Sequence, residues 1–236
     1  MPNWCYTEID FRGEDAGKFA KYLEDAQIKG LQIAKEANME IGFDETWLGY
    51  YLLGAGVPVK DVEDGTGDVS GFRYRGEVIE FPESCEGDDS FSIRTETAWR
   101  PMLEMFDYLI DKSGFSGVSL HYYAEEPNTA LYKASDPSMT EGDTYYVDTC
   151  MPYGSDLLKT KPPVIQKIVE NFGEPGFYSD ESLSKALTGV LGAYPIPLAD
   201  MIEKFEELYR DIDDDDVFIS IHEIEFDTPD PLKKTT

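Results

Sequence analysis

A chain of 236 residues, 41% apolar and 13% aromatic, has the material for a packed core that buries roughly 70% of the surface exposed when unfolded, and it is not compositionally disordered. Its 48 acidic and 20 basic side chains leave a net charge of −28, which repels nucleic-acid phosphates and anionic lipid headgroups and argues against direct binding to either. Cys5, Cys85 and Cys150 lie far apart without C-x-x-C spacing, no basic start with an apolar run opens the chain, and no stretch approaches the ~20 apolar residues of a bilayer span, so a cytoplasmic protein is expected.

In chain order, residues 3–11 alternate, with Cys5, Thr7, Ile9 and Phe11 on one face and Trp4, Tyr6, Glu8 and Asp10 on the other, the period of a strand. Phe19, Ala20, Tyr22, Leu23 and Ala26 recur at helical spacing and predict a helix over 14–26. Residues 30–71 carry clustered apolar residues, Trp47 to Leu53, punctuated by glycines, and read as an insertion that is part helix, part loop. Residues 72–81 and 90–95 predict two strands. Trp99, Met102, Leu103, Phe106, Leu109 and Ile110 form the stripe of an amphipathic helix with Pro101 in its first turn. Strands follow at 118–123, 130–134 and 144–150. Beyond Pro152 the spacing predicts three helices, the second capped by Ser179, the third starting beside Pro197, and then a last strand within 217–226.

The expected fold class is α+β: a ferredoxin-like split βαβ antiparallel sheet, domain 1–151 with its insertion at about 30–71, followed by a helical extension, 152–236, that ends in a strand. Motifs for chemistry are thin. His121 and His222 are far apart, and the acidic run Asp213 to Asp216 places Asp216 where a calcium loop needs its glycine and His222 where it needs its bidentate Glu. Gly65-Thr66-Gly67 lacks the rest of a phosphate loop. No cofactor, metal ligand or catalytic residue is assigned.

Asn3-Trp4-Cys5, the block Glu96-Thr97-Ala98-Trp99-Arg100-Pro101 at the start of a helix, and Tyr122-Tyr123-Ala124-Glu125-Glu126-Pro127 after a strand together resemble the YubB/Api92-like ferredoxin-domain proteins of phages and plasmids, over residues 1–136. The chain departs from that group's pattern at Thr7, Arg100 and Asn128-Thr129. The resemblance implies a mobile-element origin and a ferredoxin-like core, and no activity. Trp4 and Trp99 are expected to be core residues at the sheet and helix interface.

Charge and resemblance combine into one expectation: a phage accessory protein, not an enzyme, that binds and inhibits a host nucleic-acid-handling or defence protein, in the manner of an anti-CRISPR or anti-restriction protein, through an acidic surface that imitates DNA. The partner would present a basic surface. The candidate partner-binding residues are Asp200, Glu203, Glu206, Glu207 and Asp211 on the outer side of the last helix, running into Asp213, Asp214, Asp215 and Asp216, and Asp61, Glu63, Asp64 and Asp68 in the insertion. Two alternatives stand beside it: an enzyme with a carboxylate-built, magnesium-dependent site, and a self-associating protein, a homo-oligomer, that uses Trp47 to Leu53 as an apolar contact patch.

Overall fold

The computed structural model describes residues 3–39, 45–62, 74–82, 85, 87–150, 158–192, 196–210, 212 and 217–227. The chain divides into two units, Met1–Ser135 and Asp136–Thr236.

In the first unit the alternation of Cys5, Thr7, Ile9 and Phe11 becomes β1 (Trp4–Arg12), with those side chains all buried on one face. The next helix, α1 (Ala16–Glu36), runs ten residues past the predicted end at Ala26. It continues through Gly30, which sequence reading places at the start of the insertion. A second helix, α2 (Leu48–Gly54), packs along α1, and Lys29 Nζ donates to the Gly54 carbonyl at 3.0 Å. β2 (Gly76–Glu80) and β3 (Ser90–Ala98) form the expected hairpin, α3 (Leu103–Ser113) follows, and β4 (Ser119–Glu126) and β5 (Leu131–Ala134) close the unit.

The strands run β2-β3-β1-β4-β5 with antiparallel neighbours throughout. β1 and β2 are therefore parallel with β3 between them, and β3 and β4 are parallel with β1 between them. Two βαβ crossovers, each split by an inserted strand, are the split βαβ plan expected from the element order, with β5 added at one edge. Phe11, Phe19, Phe91 and Phe106 meet in the core between the sheet and the helices, with the Phe11 and Phe91 rings stacked at 4.8 Å. Fully burying each such ring contributes roughly 1.5–3 kcal/mol.

The segment Trp47 to Leu53 is not a surface patch. All of it is buried in this core, Tyr50 included, so it offers no exposed apolar area for self-association.

The second unit begins before the expected boundary at 151, because β6 (Tyr145–Cys150) pairs with β7 (Gly176–Tyr178) and β8 (Phe218–Glu223) and not with the first sheet. The unit is thus not a helical extension but an α+β body. α4 (Pro163–Phe172), α5 (Asp180–Leu191) and α6 (Leu198–Arg210) pack on the three-stranded sheet, and Val147, Ile168, Phe172, Leu183, Leu187, Met201, Phe205 and Ile219 form a core of their own. A two-residue strand, β9 (Glu225–Phe226), follows β8. Ser179 caps α5 as expected, its Oγ accepting from the Ser182 N–H at 3.2 Å. Ser179→Ala is expected to lower stability by about 1 kcal/mol, read as a lower urea midpoint at unchanged slope.

Candidate functional site

Of the acidic residues singled out in the sequence, Asp200, Glu203, Glu206 and Glu207 lie exposed on α6, opposite the buried Met201 and Phe205. Their spacing of three and four residues puts Asp200, Glu203 and Glu207 on one stripe. None of these four makes an ion pair among the described residues. Asp61 is exposed in a short 3-10 turn, Val59–Asp61. Asp211, Asp213, Asp214, Asp215, Asp216, Glu63, Asp64 and Asp68 lie outside the described residues.

The structure brings together a second set of carboxylates that sequence reading did not group. On the face of the first sheet opposite the helices, the register aligns Glu77, Glu96, Tyr6 and Glu125 in one transverse row across β2, β3, β1 and β4. At ~4.8 Å between strands, Glu77 and Glu96 stand directly opposite each other, and like charges so placed are destabilising. Tyr6 is 44% exposed in the middle of the row. Burial, then the charge of Glu96, pushes the Tyr6 hydroxyl above its ordinary range.

The next row carries Glu80, Arg94 and Glu8. Arg94 bridges Glu80 at 3.0 Å and Glu8 at 3.4 Å, and Arg12 pairs with Asp10 at 2.7 Å. The arginines of this face are therefore spent on Glu8, Asp10 and Glu80, whereas Glu77 and Glu96 have no cationic partner among the described residues. The signal was present in the sequence as the outward members of four strands, but only the register shows that they align.

Concave space exists elsewhere in the first unit, a cavity of about 670 Å³ whose walls include Ala20, Tyr22, Phe81, Pro82, Cys85 and Phe115. The acids at its rim, Glu24 and Asp25, are both held by Lys21, at 2.7 and 2.9 Å. They do not converge on the empty volume as a carboxylate-built site would require. Among the described residues no group of His, Cys, Asp and Glu is arranged to hold a metal ion. Cys5 is buried under the helices, and desolvation, offset in part by its hydrogen bond with Thr7, pushes its thiol up to about 11, so it is no thiolate at neutral pH. Among the described residues no helix is long and apolar enough to cross a membrane.

No protein family, curated protein or solved structure matches the chain. Two of the sequence blocks behind the family resemblance do meet in space. Trp4 pairs with Ala98, and the Trp99 N–H donates to the Asn3 carbonyl at 2.8 Å. Trp99 itself is not a core residue. It is 46% exposed and stands before α3, where the chain bends at Trp99 and Arg100, and the helix starts only at Leu103.

Proposed function

We propose that this protein acts by binding, using carboxylate surfaces to engage the basic face of a protein that handles nucleic acid, as an accessory protein of a phage or other mobile element would to inhibit a host defence factor. The observation that supports the reading is the row Glu77, Glu96, Tyr6 and Glu125. A directly opposed pair of like charges is retained there at a cost of roughly 0.2–1 kcal/mol, while the arginines of the same face neutralise other acids. A cationic partner removes that repulsion on binding. Tyr6 adds a rigid amphipathic ring at the centre, the residue type that most often dominates contact energy.

The density of the row sets what it imitates. Two carboxylates ~5 Å apart, with the third ~10 Å beyond them across Tyr6, are sparser than the charge per ~1.7 Å of duplex axis, so the row matches a few phosphates and not a continuous helix. The exposed acids of α6 supply a further stripe of the same sign in the second unit.

The test is co-purification from a phage-infected or plasmid-bearing host at two salt concentrations. Recovery of a nucleic-acid-binding protein is expected, weaker at the higher salt and displaced by duplex DNA. Glu77→Lys with Glu96→Lys is expected to weaken that complex about tenfold, equivalent to about 1.4 kcal/mol. Recovered proteins that bind no nucleic acid, or a complex indifferent to both salt and the double substitution, would overturn the reading.

A further inference from the structure

Arg75 stands apart from Arg12, Arg94 and Arg100. Arg12, Arg94 and Arg100 each hold a carboxylate, yet the Arg75 guanidinium makes no ion pair or side-chain hydrogen bond among the described residues, in a chain with 48 acids. It lies over the Trp99 ring, 5.4 Å from the guanidinium carbon to the ring centroid. A guanidinium stacked on an aromatic face keeps its N–H donors at the edge, free to take a planar anion.

Trp99 is built into the same place. Its φ is 68°, a left-handed conformation that a bulky residue rarely adopts, so the surroundings must hold it. They do so through several bonds: the Trp99 N–H to the Asn3 carbonyl at 2.8 Å, the Ala98 N–H to the Arg75 carbonyl at 3.0 Å, and Thr97 Oγ1 to the Arg100 carbonyl at 2.8 Å. This frame fixes a half-exposed indole beside an uncommitted guanidinium. The indole N–H has no hydrogen-bond partner among the described residues either.

We infer that Arg75 and Trp99 form a binding site for a carboxylate carried next to an apolar side chain, as on an acidic or carboxyl-terminal segment of a partner protein. The carboxylate is taken by the Arg75 fork with help from the indole N–H, and the apolar group covers the open face of the ring. A singly charged anion fits one uncommitted arginine. A phosphate dianion would keep excess negative charge in a chain of net charge −28. The site goes beyond the acidic row and does not depend on it: it is a cationic anchor, and it stands whether or not the carboxylate surfaces bind a basic partner.

The probes are N-acetyl-phenylalanine, its carboxamide, N-acetyl-aspartyl-phenylalaninamide and adenosine monophosphate, titrated into the full chain while the Trp99 indole N–H resonance is followed by NMR, assigned by its loss in Trp99→Phe. The two carboxylates are expected to shift it saturably, and the carboxamide to bind at least about fivefold more weakly. The tighter carboxylate identifies a terminal or a side-chain source. In Arg75→Gln, whose intact fold shows in the remaining resonances, acid and amide should bind alike. No saturable shift, equal binding of acid and amide to the unmodified chain, unchanged preference in Arg75→Gln, or tighter binding of the nucleotide than of either carboxylate would overturn the assignment.

Discussion

Replacing Gly30 by alanine is expected to destabilise the first unit by about 2 kcal/mol, the net of two opposed effects. Alanine is the better helix former by about 1 kcal/mol, and in an isolated helix the exchange would stabilise. Here α1 and α2 approach closely. A Cβ at Gly30 would overlap the Tyr50 carbonyl, and one at Gly54 would overlap the Ala26 carbonyl. Both obstacles are backbone atoms of the neighbouring helix, so no side chain can rotate away, and the helices must separate along the line that buries Tyr50, Tyr51, Leu52 and Leu53. Overpacking of a rigid contact costs about 1–3 kcal/mol and more where backbone must move, and the second glycine lies on the same contact line. Urea unfolding of Gly30→Ala and of Gly54→Ala reads the effect as a lowered midpoint. A midpoint equal to or above that of the unmodified chain would show that the helices do not meet as closely as described.

That pair of glycines also explains why α1 runs on past the end that the sequence predicts for it. In the sequence, Gly30, Gly54 and Gly56 look like punctuation, because a glycine is most often a break. In the structure two of them are helical and serve contact, so a stretch expected to be part loop supplies part of the core, including Trp47 and Tyr51. The strands were legible, since Cys5, Thr7, Ile9 and Phe11 alternate within one element and need no partner to be recognised. β6 was legible as a strand, but its sheet was not, because pairing with β8 joins residues more than sixty positions apart. The same distinction separates the two acidic surfaces. The α6 stripe repeats within one helix and is visible at spacings of three and four. The row Glu77, Glu96, Tyr6 and Glu125 comes from four strands and exists only once their register is known.

Exchanging Glu126 for methionine, a side chain of similar size without charge, is expected to stabilise the chain by about 1–4 kcal/mol. Glu126 closes β4 on the helix-covered face, in the row next to Cys5. It is 0% exposed, and neither carboxylate oxygen has a hydrogen-bond partner among the described residues. A carboxylate taken from water without donors loses several kcal/mol of solvation that nothing nearby returns. Methionine would keep the volume, remove that penalty and pack against the neighbouring apolar surface. The urea midpoint should therefore rise at constant slope. Because Glu126 is buried and the row Glu77, Glu96, Tyr6 and Glu125 projects from the opposite side of the sheet, the same variant should bind the basic partner unchanged. A gain in stability with intact binding marks Glu126 as a fault of the core. A gain with binding lost would tie it to function, since strain that selection retains gathers where function needs it. A fall in stability would mean that the carboxylate is held by donors and would overturn the prediction.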